Sequence, residues 1–205
     1  MEPILKSLSN KYNLDENLFF KNLPTTSPKT LASMMAPFYF AVKYWSTHLE
    51  ELVRVIEAES KCDNDTLVKI KENILDEKGD SIESDHVTTF INFLISLHPL
   101  EKQLESNESV NTFIGKLKDL FKMSNEAHLA ALGGIEYLYI DISNRINNYC
   151  IDNKVKIYHY KVHSIIDHKH AHDFFSNSSM KSCDIEVGFS MIYEVFNCLW
   201  VQHNI

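Results

Sequence analysis

Across 205 residues the chain has only five glycines and five prolines, while its apolar residues recur every three or four positions over most of its length. Turn-rich β architectures need far more chain-reversing residues than that, and a 3.6-residue apolar period is the signature of helices buried along one stripe. The same scarcity leaves little material for glycine loops that cradle phosphate groups. The expectation is therefore an all-α protein, a compact bundle of about seven helices forming one domain over residues 1–205.

Local signals divide the chain. A short helix is expected near Ile4 to Tyr12, then a loop containing Pro24, Thr25 and Thr26. Ser27 suits an N-cap with Pro28 at the first helical position. The helix they open runs through Met34, Phe38, Phe40, Val42, Tyr44 and Leu49 to about Ala58, with Pro37 as a place for a kink. A third helix covers Asn64 to Lys78 and stops at Gly79. Asp80 and Glu83 have capping-box spacing and start a helix that ends before Pro99. A long helical region from Val110 to Asn148 is open to interruption at Met123-Ser124 and loosening at Gly133-Gly134. Two more follow, from about Val155 to Phe175 and from Asp184 to His203.

With 44% hydrophobic and 23% charged residues the composition is globular. A net charge of −8 without a basic stripe argues against nucleic acid as a partner. The most apolar stretch, near Val87 to Leu97, is broken by Thr88, Thr89, Asn92 and Ser96 and is too short to span a bilayer. Met-Glu-Pro-Ile-Leu-Lys lacks the basic start and apolar core of a secretory signal, so a cytoplasmic protein without membrane contact is expected. Cys62, Cys150, Cys183 and Cys198 are scattered with no C-x-x-C pair, which reads as reduced thiols.

The residues with chemistry concentrate in Tyr160-Lys-Val-His163-Ser-Ile-Ile-Asp167-His-Lys-His170-Ala171. His163, Asp167 and His170 stand at i, i+4 and i+7, which puts all three on one stripe of a helix at about 100° per residue. Imidazole and carboxylate together suit a divalent iron. The plain alternative is a solvated polar face, since His159, His168 and His172 lie in the same segment. Glu77 falls near the apolar face of Leu67, Ile70 and Ile74, although a helix-terminal Glu can also turn to water. His86 precedes Phe90, Phe93, Leu94 and Leu97 on one face. Glu136 continues the stripe of Leu129, Leu132 and Gly133, with Tyr139, Ile140 and Ser143 beyond it. Each has a structural explanation singly. Jointly they put acids and histidines at core positions on several helices, which is how bundles build dimetal carboxylate sites.

In these residues the chain resembles the haem-oxygenase-like diiron oxidase and oxygenase superfamily, whose pattern ends in His-x-x-x-Asp-x-x-His-Ala. Asn73-Ile-Leu-Asp-Glu77-Lys-Gly79 is similar to the first-ligand segment, His86 follows nine residues later, Glu136 matches the central Glu, and His163, Asp167, His170 and Ala171 match the final motif. Phe38-Tyr-Phe-Ala-Val-Lys-Tyr-Trp45 and the aromatic C-terminal helix extend the similarity more weakly. Asp76 or Asp80 can replace Glu77 if the helix ends earlier.

The resemblance implies two irons (Fe/Fe, with Mn/Fe also compatible) held by Glu77, His86, Glu136, His163, Asp167 and His170. It also implies O2 as co-substrate, a small-molecule substrate and a possible homodimer. Glu136 is then the candidate bridging carboxylate, and His159 lies beside the ligands or faces substrate. Tyr137, Tyr139, Tyr158 and Tyr160 include candidates for a redox-active tyrosine, against ordinary aromatic packing. Reactions of that superfamily include N-oxygenation, oxidative C–C cleavage, decarboxylation and self-sacrificing cofactor synthesis, and the ligands do not choose among them. The alternatives on the same scaffold are a metal-free relative, like thiaminase II or pyrroloquinoline-quinone synthase, a haem protein using His48, and a non-catalytic interaction protein.

Overall fold

Helix follows helix through the computed structural model, which describes residues 1–59, 64–79, 85–100, 103–156, 158–176 and 181–204; no strand occurs among the described residues. Helix α1 spans Glu2–Lys11 and buries Leu5 and Leu8. Helix α2, Leu18–Asn22, is capped by Asn17, whose side-chain oxygen accepts from the Phe19 N–H at 3.1 Å. Its amide donates to the Tyr193 carbonyl at 2.8 Å, fastening this end of the chain to the last helix.

Ser27 caps α3, Pro28–Met35, by accepting from the Thr30 N–H at 3.1 Å. Pro37 does not kink a long helix. It lies in a 3₁₀ turn, Ala36–Phe38, that separates α3 from α4, Tyr39–Glu59. Helix α5 covers Asn64–Lys78, and Gly79 ends it with φ 67°, a left-handed conformation in which glycine has no Cβ penalty.

The next helix, α6, His86–Leu97, is capped by Asp85, which accepts from the Thr88 N–H at 2.7 Å. The Asp80–Glu83 capping box lies outside the described residues. Helix α7, Glu108–Leu120, is separated from α8, Asn125–Asp152, where Ser124 caps the new start. Helix α9 is His159–Phe175, beginning later than Val155, and α10 is Ser182–His203. The expected seven helices thus become ten among the described residues. The five-residue α2 carries too little periodicity to be read, and two expected long helices each divide at a turn.

Helix α8 is the axis of the fold, with 17 of its 28 residues buried. From His128 to Glu136 every residue is buried, and only the C-terminal half keeps an exposed stripe at Asp141, Asn144, Asn148 and Ile151, which weakens the amphipathic pattern of the whole. Helices α9 and α10 make its most extensive contacts, while α4 joins α5, α6 and α7 across the rest of the core. That core is continuous from Leu5 to Leu199. No described helix is long and apolar enough to cross a membrane.

Gly133-Gly134 does not loosen α8; it lets neighbours approach. A Cβ at Gly134 would stand 2.4 Å from the Ile185 carbonyl oxygen, and one at Gly188 only 1.9 Å from that of Ala131. The α8–α10 crossing is therefore closer than any side chain allows, and the obstructing atoms are backbone. Gly115 in α7 has nothing within 4 Å of the same position. Gly188→Ala is expected to cost about 2–3 kcal/mol of stability despite its better helix propensity. Gly115→Ala should instead add up to about 1 kcal/mol. Urea unfolding of both variants checks the opposite signs.

Candidate metal centre

Four helices deliver the six expected residues to one region of the core, and none is more than 7% exposed. Glu77 comes from the last turn of α5, on the same stripe as Ile70, Asn73 and Ile74. His86 is the first residue of α6, Glu136 lies midway along α8, and His163, Asp167 and His170 line one face of α9. The inward alternative for Glu77 therefore holds over the frayed one. His168 and His172, on the other side of α9, are exposed.

The contacts fall into pairs. His86 Nδ1 lies 2.7 Å from Glu77 Oε2, and His163 Nδ1 lies 2.8 Å from Asp167 Oδ1. The Glu77 carboxylate accepts, so His86 Nδ1 donates and its Nε2 keeps an open lone pair; His163 has the same arrangement when Asp167 is ionised. His170 is turned the other way. Its Nε2 meets Asp76 Oδ2 at 3.2 Å, and its Nδ1 lies 3.9 Å from Glu136 Oε1. Ligand atoms of Glu77, Glu136 and His170 all lie within 4.8 Å of one another, close enough to share an ion.

The charges are arranged unevenly. Burial, followed by the nearby Asp167, pushes the Glu136 carboxyl well above the usual range. Burial likewise raises Asp167, against the pull of His170. Burial also works against an ionised Glu77, but His86, His163 and His170 outweigh it and hold its pKa below the usual value. His170 is disfavoured as a cation by burial, yet Asp76 and then Glu136 overcome that and raise it. Burial pushes His163 down to about 4. Without a metal, the surroundings thus favour a proton on Glu136, Asp167 and His170 and disfavour one on Glu77. Asp167 Oδ2 is buried without a hydrogen-bond partner.

Asp76 is the residue that the sequence offered only as a replacement for Glu77; here both acids act, one outside and one inside. Asp80 lies outside the described residues. His159, one turn before His163, packs against it with ring centroids 4.5 Å apart. Its Nδ1 is 2.9 Å from Thr89 Oγ1, and that hydroxyl donates to the His86 carbonyl at 3.0 Å. Thr89 must therefore accept from His159, which fixes the Nδ1–H tautomer. Tyr139 reaches the cluster from α8, 5.3 Å from the His163 ring, and Tyr160 lies beyond it at 6.2 Å from Tyr139. Tyr158 is exposed and Tyr137 packs on Phe189.

A cavity of about 50 Å³ opens beside the cluster. Glu77, His86, Glu136 and His163 form its polar end; Phe38, Ala41, Val42, Trp45, Phe113, Ile135, Tyr139 and Ile192 form the remainder. Trp45 supplies a hydrogen bond to Glu136. No sequence pattern marked Phe113 or Ile192, because a cavity-lining apolar residue has the same periodicity as a packed one. Among the cysteines, burial drives the Cys150 thiol up to about 12, unsuited to a nucleophile. Cys183 and Cys198 are exposed, and Cys62 lies outside the described residues.

No family model matches the chain, and no curated protein does. Two crystal structures of a CADD-like protein of unknown function from Nostoc punctiforme PCC 73102 do share its fold. The one at 2.00 Å resolution superposes with a TM-score of 0.74 at 16% identity, covering 98% of this chain and 96% of that one. The other, at 1.35 Å, gives 0.71 at 16% identity, covering 98% and 93%. The whole helical arrangement is therefore that of an independently solved protein.

His48, the one histidine available to a haem, is engaged elsewhere. Its Nε2 lies 2.8 Å from Nε2 of His128, and both rings pack on Phe121, with centroids 4.8 and 4.9 Å away. Burial lowers His48 to about 4, and burial with the neighbouring imidazole lowers His128 to about 3. The unfolded chain protonates such rings near pH 6.5. Their contribution is therefore fully present above that pH and is lost as pH falls toward 4. Each ring should add about 1.4 kcal/mol per pH unit to that slope. Chemical unfolding between pH 7 and 4 is expected to show a shallower slope in His128→Gln than in the parent chain.

Proposed function

We propose that this chain is a haem-oxygenase-like, non-haem diiron oxidase or oxygenase that uses O2 to oxidise a small molecule. The observation that carries the proposal is the convergence of three carboxylates and three histidines, all buried, from α5, α6, α8 and α9, with Glu77, His86, Glu136 and His163 lining one end of a cavity. Among the described residues no Lys or Arg forms an ion pair with Glu77, Glu136 or Asp167. Burying acids in this way is costly unless protons or cations compensate them.

The donor set fits iron. Two open imidazole nitrogens, a carboxylate oxygen without a partner and a three-residue cluster of ion-sharing dimensions are present before any metal arrives. His86, Glu77, Glu136, His163, Asp167 and His170 would hold the metals. Manganese at one position is compatible with the same oxygen-rich set. Bound there, two irons would supply the activation of O2 that no side chain can perform alone.

The chain's own residues then have separate tasks. The raised proton affinities of Glu136, Asp167 and His170 set metal loading in competition with protons, so loading is expected to weaken as pH falls. Asp76, 43% exposed at the side chain, holds His170 from the solvent side. Thr89 and His159 tie the start of α6 to the start of α9, which fixes His86 relative to His163. Trp45 orients Glu136, and the apolar walls keep bulk water from the reacting end.

Anaerobic loading with Fe(II), followed by metal analysis and O2 uptake, tests the proposal. About two irons per chain with O2 consumption are expected. His163→Ala and Asp167→Ala should each abolish stoichiometric iron binding while far-ultraviolet circular dichroism stays helical. Glu77→Ala should weaken one iron more than the other. Unchanged iron binding in the first two variants, or no retained iron in the parent chain, would sink the assignment in favour of a metal-free or interaction protein.

A further inference from the structure

Apart from its ligand end, the cavity wall is mainly apolar. Phe38, Ala41, Val42, Phe113, Ile135 and Ile192 form it together with Trp45 and Tyr139, and no Lys or Arg lines it. An anionic group pushed to the bottom would face Glu77 and Glu136 in a low-dielectric space without a counter-charge, which strongly disfavours it. A cationic group would lose its hydration on the way through the apolar walls.

Phe113 has a second role. Only 4% exposed, it lines this cavity and also the floor of a surface cleft between α7 and α10. That cleft holds about 220 Å³, and its rim is polar: Ser109, Thr112, Gln202 and the ion pair between Lys116 and Glu194. Cys198, exposed, stands in the same cleft. One aromatic ring is therefore common to the cleft and the candidate reaction chamber.

We infer that an uncharged aryl or alkyl group enters between α7 and α10, past Phe113, and that the substrate keeps its polar portion at the cleft rim. That this chamber is the reaction site rests on the proposal above. The ligand class and the route rest on the chamber itself, and they are testable without metal.

The cavity contains its own reporter. Trp45 lines it, and Trp200 is the chain's other tryptophan. In full-length Trp200→Phe protein freed of metal, toluene should change Trp45 fluorescence saturably. Benzoate and benzylammonium, of similar ring size, should bind about tenfold more weakly or worse. Equal binding of benzoate and toluene would overturn the ligand class.

For the route, stopped-flow association of toluene is expected to slow about tenfold in Phe113→Trp and to quicken in Phe113→Leu. The same slowing should follow attachment of a polyethylene glycol maleimide to Cys198 in a chain carrying Cys62→Ser and Cys183→Ser, where Cys150 is buried. The adduct leaves the core sequence untouched, so it remains decisive if Phe113→Trp folds poorly. Association rates unchanged by the adduct would place the entrance elsewhere. Iron stoichiometry, measured separately, reports on the diiron proposal alone.

Discussion

Acids buried far from any lysine or arginine set the terms for this fold. Glu77, Glu136 and Asp167 lie in a core that elsewhere is hydrocarbon and aromatic rings. A carboxylate there must be protonated, paired with an imidazolium or bound to a cation. The first two solutions are both favoured here: burial raises Glu136 and Asp167, while the surrounding histidines keep Glu77 low. In the proposed function divalent ions would take over the role of those protons, and apolar replacements for these acids would remove the need for either.

The surrounding hydrogen bonds follow from that demand. Each Nδ1-donating histidine beside a carboxylate has its other nitrogen turned toward the open space, an outcome of acceptor chemistry and not of chance rotamers. His159 obeys the same logic through a hydroxyl, because Thr89 has already committed its proton to the His86 carbonyl. His170 alone is held from outside, by Asp76, and its reversed ring brings Nδ1 toward Glu136. These supporting contacts join α5, α6 and α9, so the site and the local packing are one structure.

Much of this was legible in the sequence because period and capping are local. Ser27-Pro28, Asn64 and Gly79 mark helix limits that the structure reproduces. The stripe of His163, Asp167 and His170 could be placed on one face from spacing alone, and Glu77, His86 and Glu136 were conspicuous as polar residues on apolar faces. What could not be read depends on distance through space. Pro37 could bend a helix or end it, and the tertiary contacts around Phe38 chose the 3₁₀ turn. Gly133-Gly134 looked like a weak point in α8, yet α10 and Phe175 occupy the room left by the missing side chains. Asp76 and Glu77 are adjacent in sequence and stand on different sides of His170, which no periodicity resolves. Nor does periodicity distinguish Phe113 at a cavity wall from Phe93 in solid packing.

The glycine contact between α8 and α10 also limits how such a chamber could be remodelled. Ile135 and Ile192 sit on those two helices, whose spacing is fixed by backbone touching backbone at Gly134 and Gly188. That wall is rigid, and no side-chain exchange at the crossing can widen it. Phe38 at the turn before α4, Ala41 and Val42 on α4, and Phe113 on α7 form the opposite wall, where side chains alone set the dimensions. Engineering or natural drift toward a larger or smaller guest would thus act on one side of the chamber, while the other serves as a fixed template.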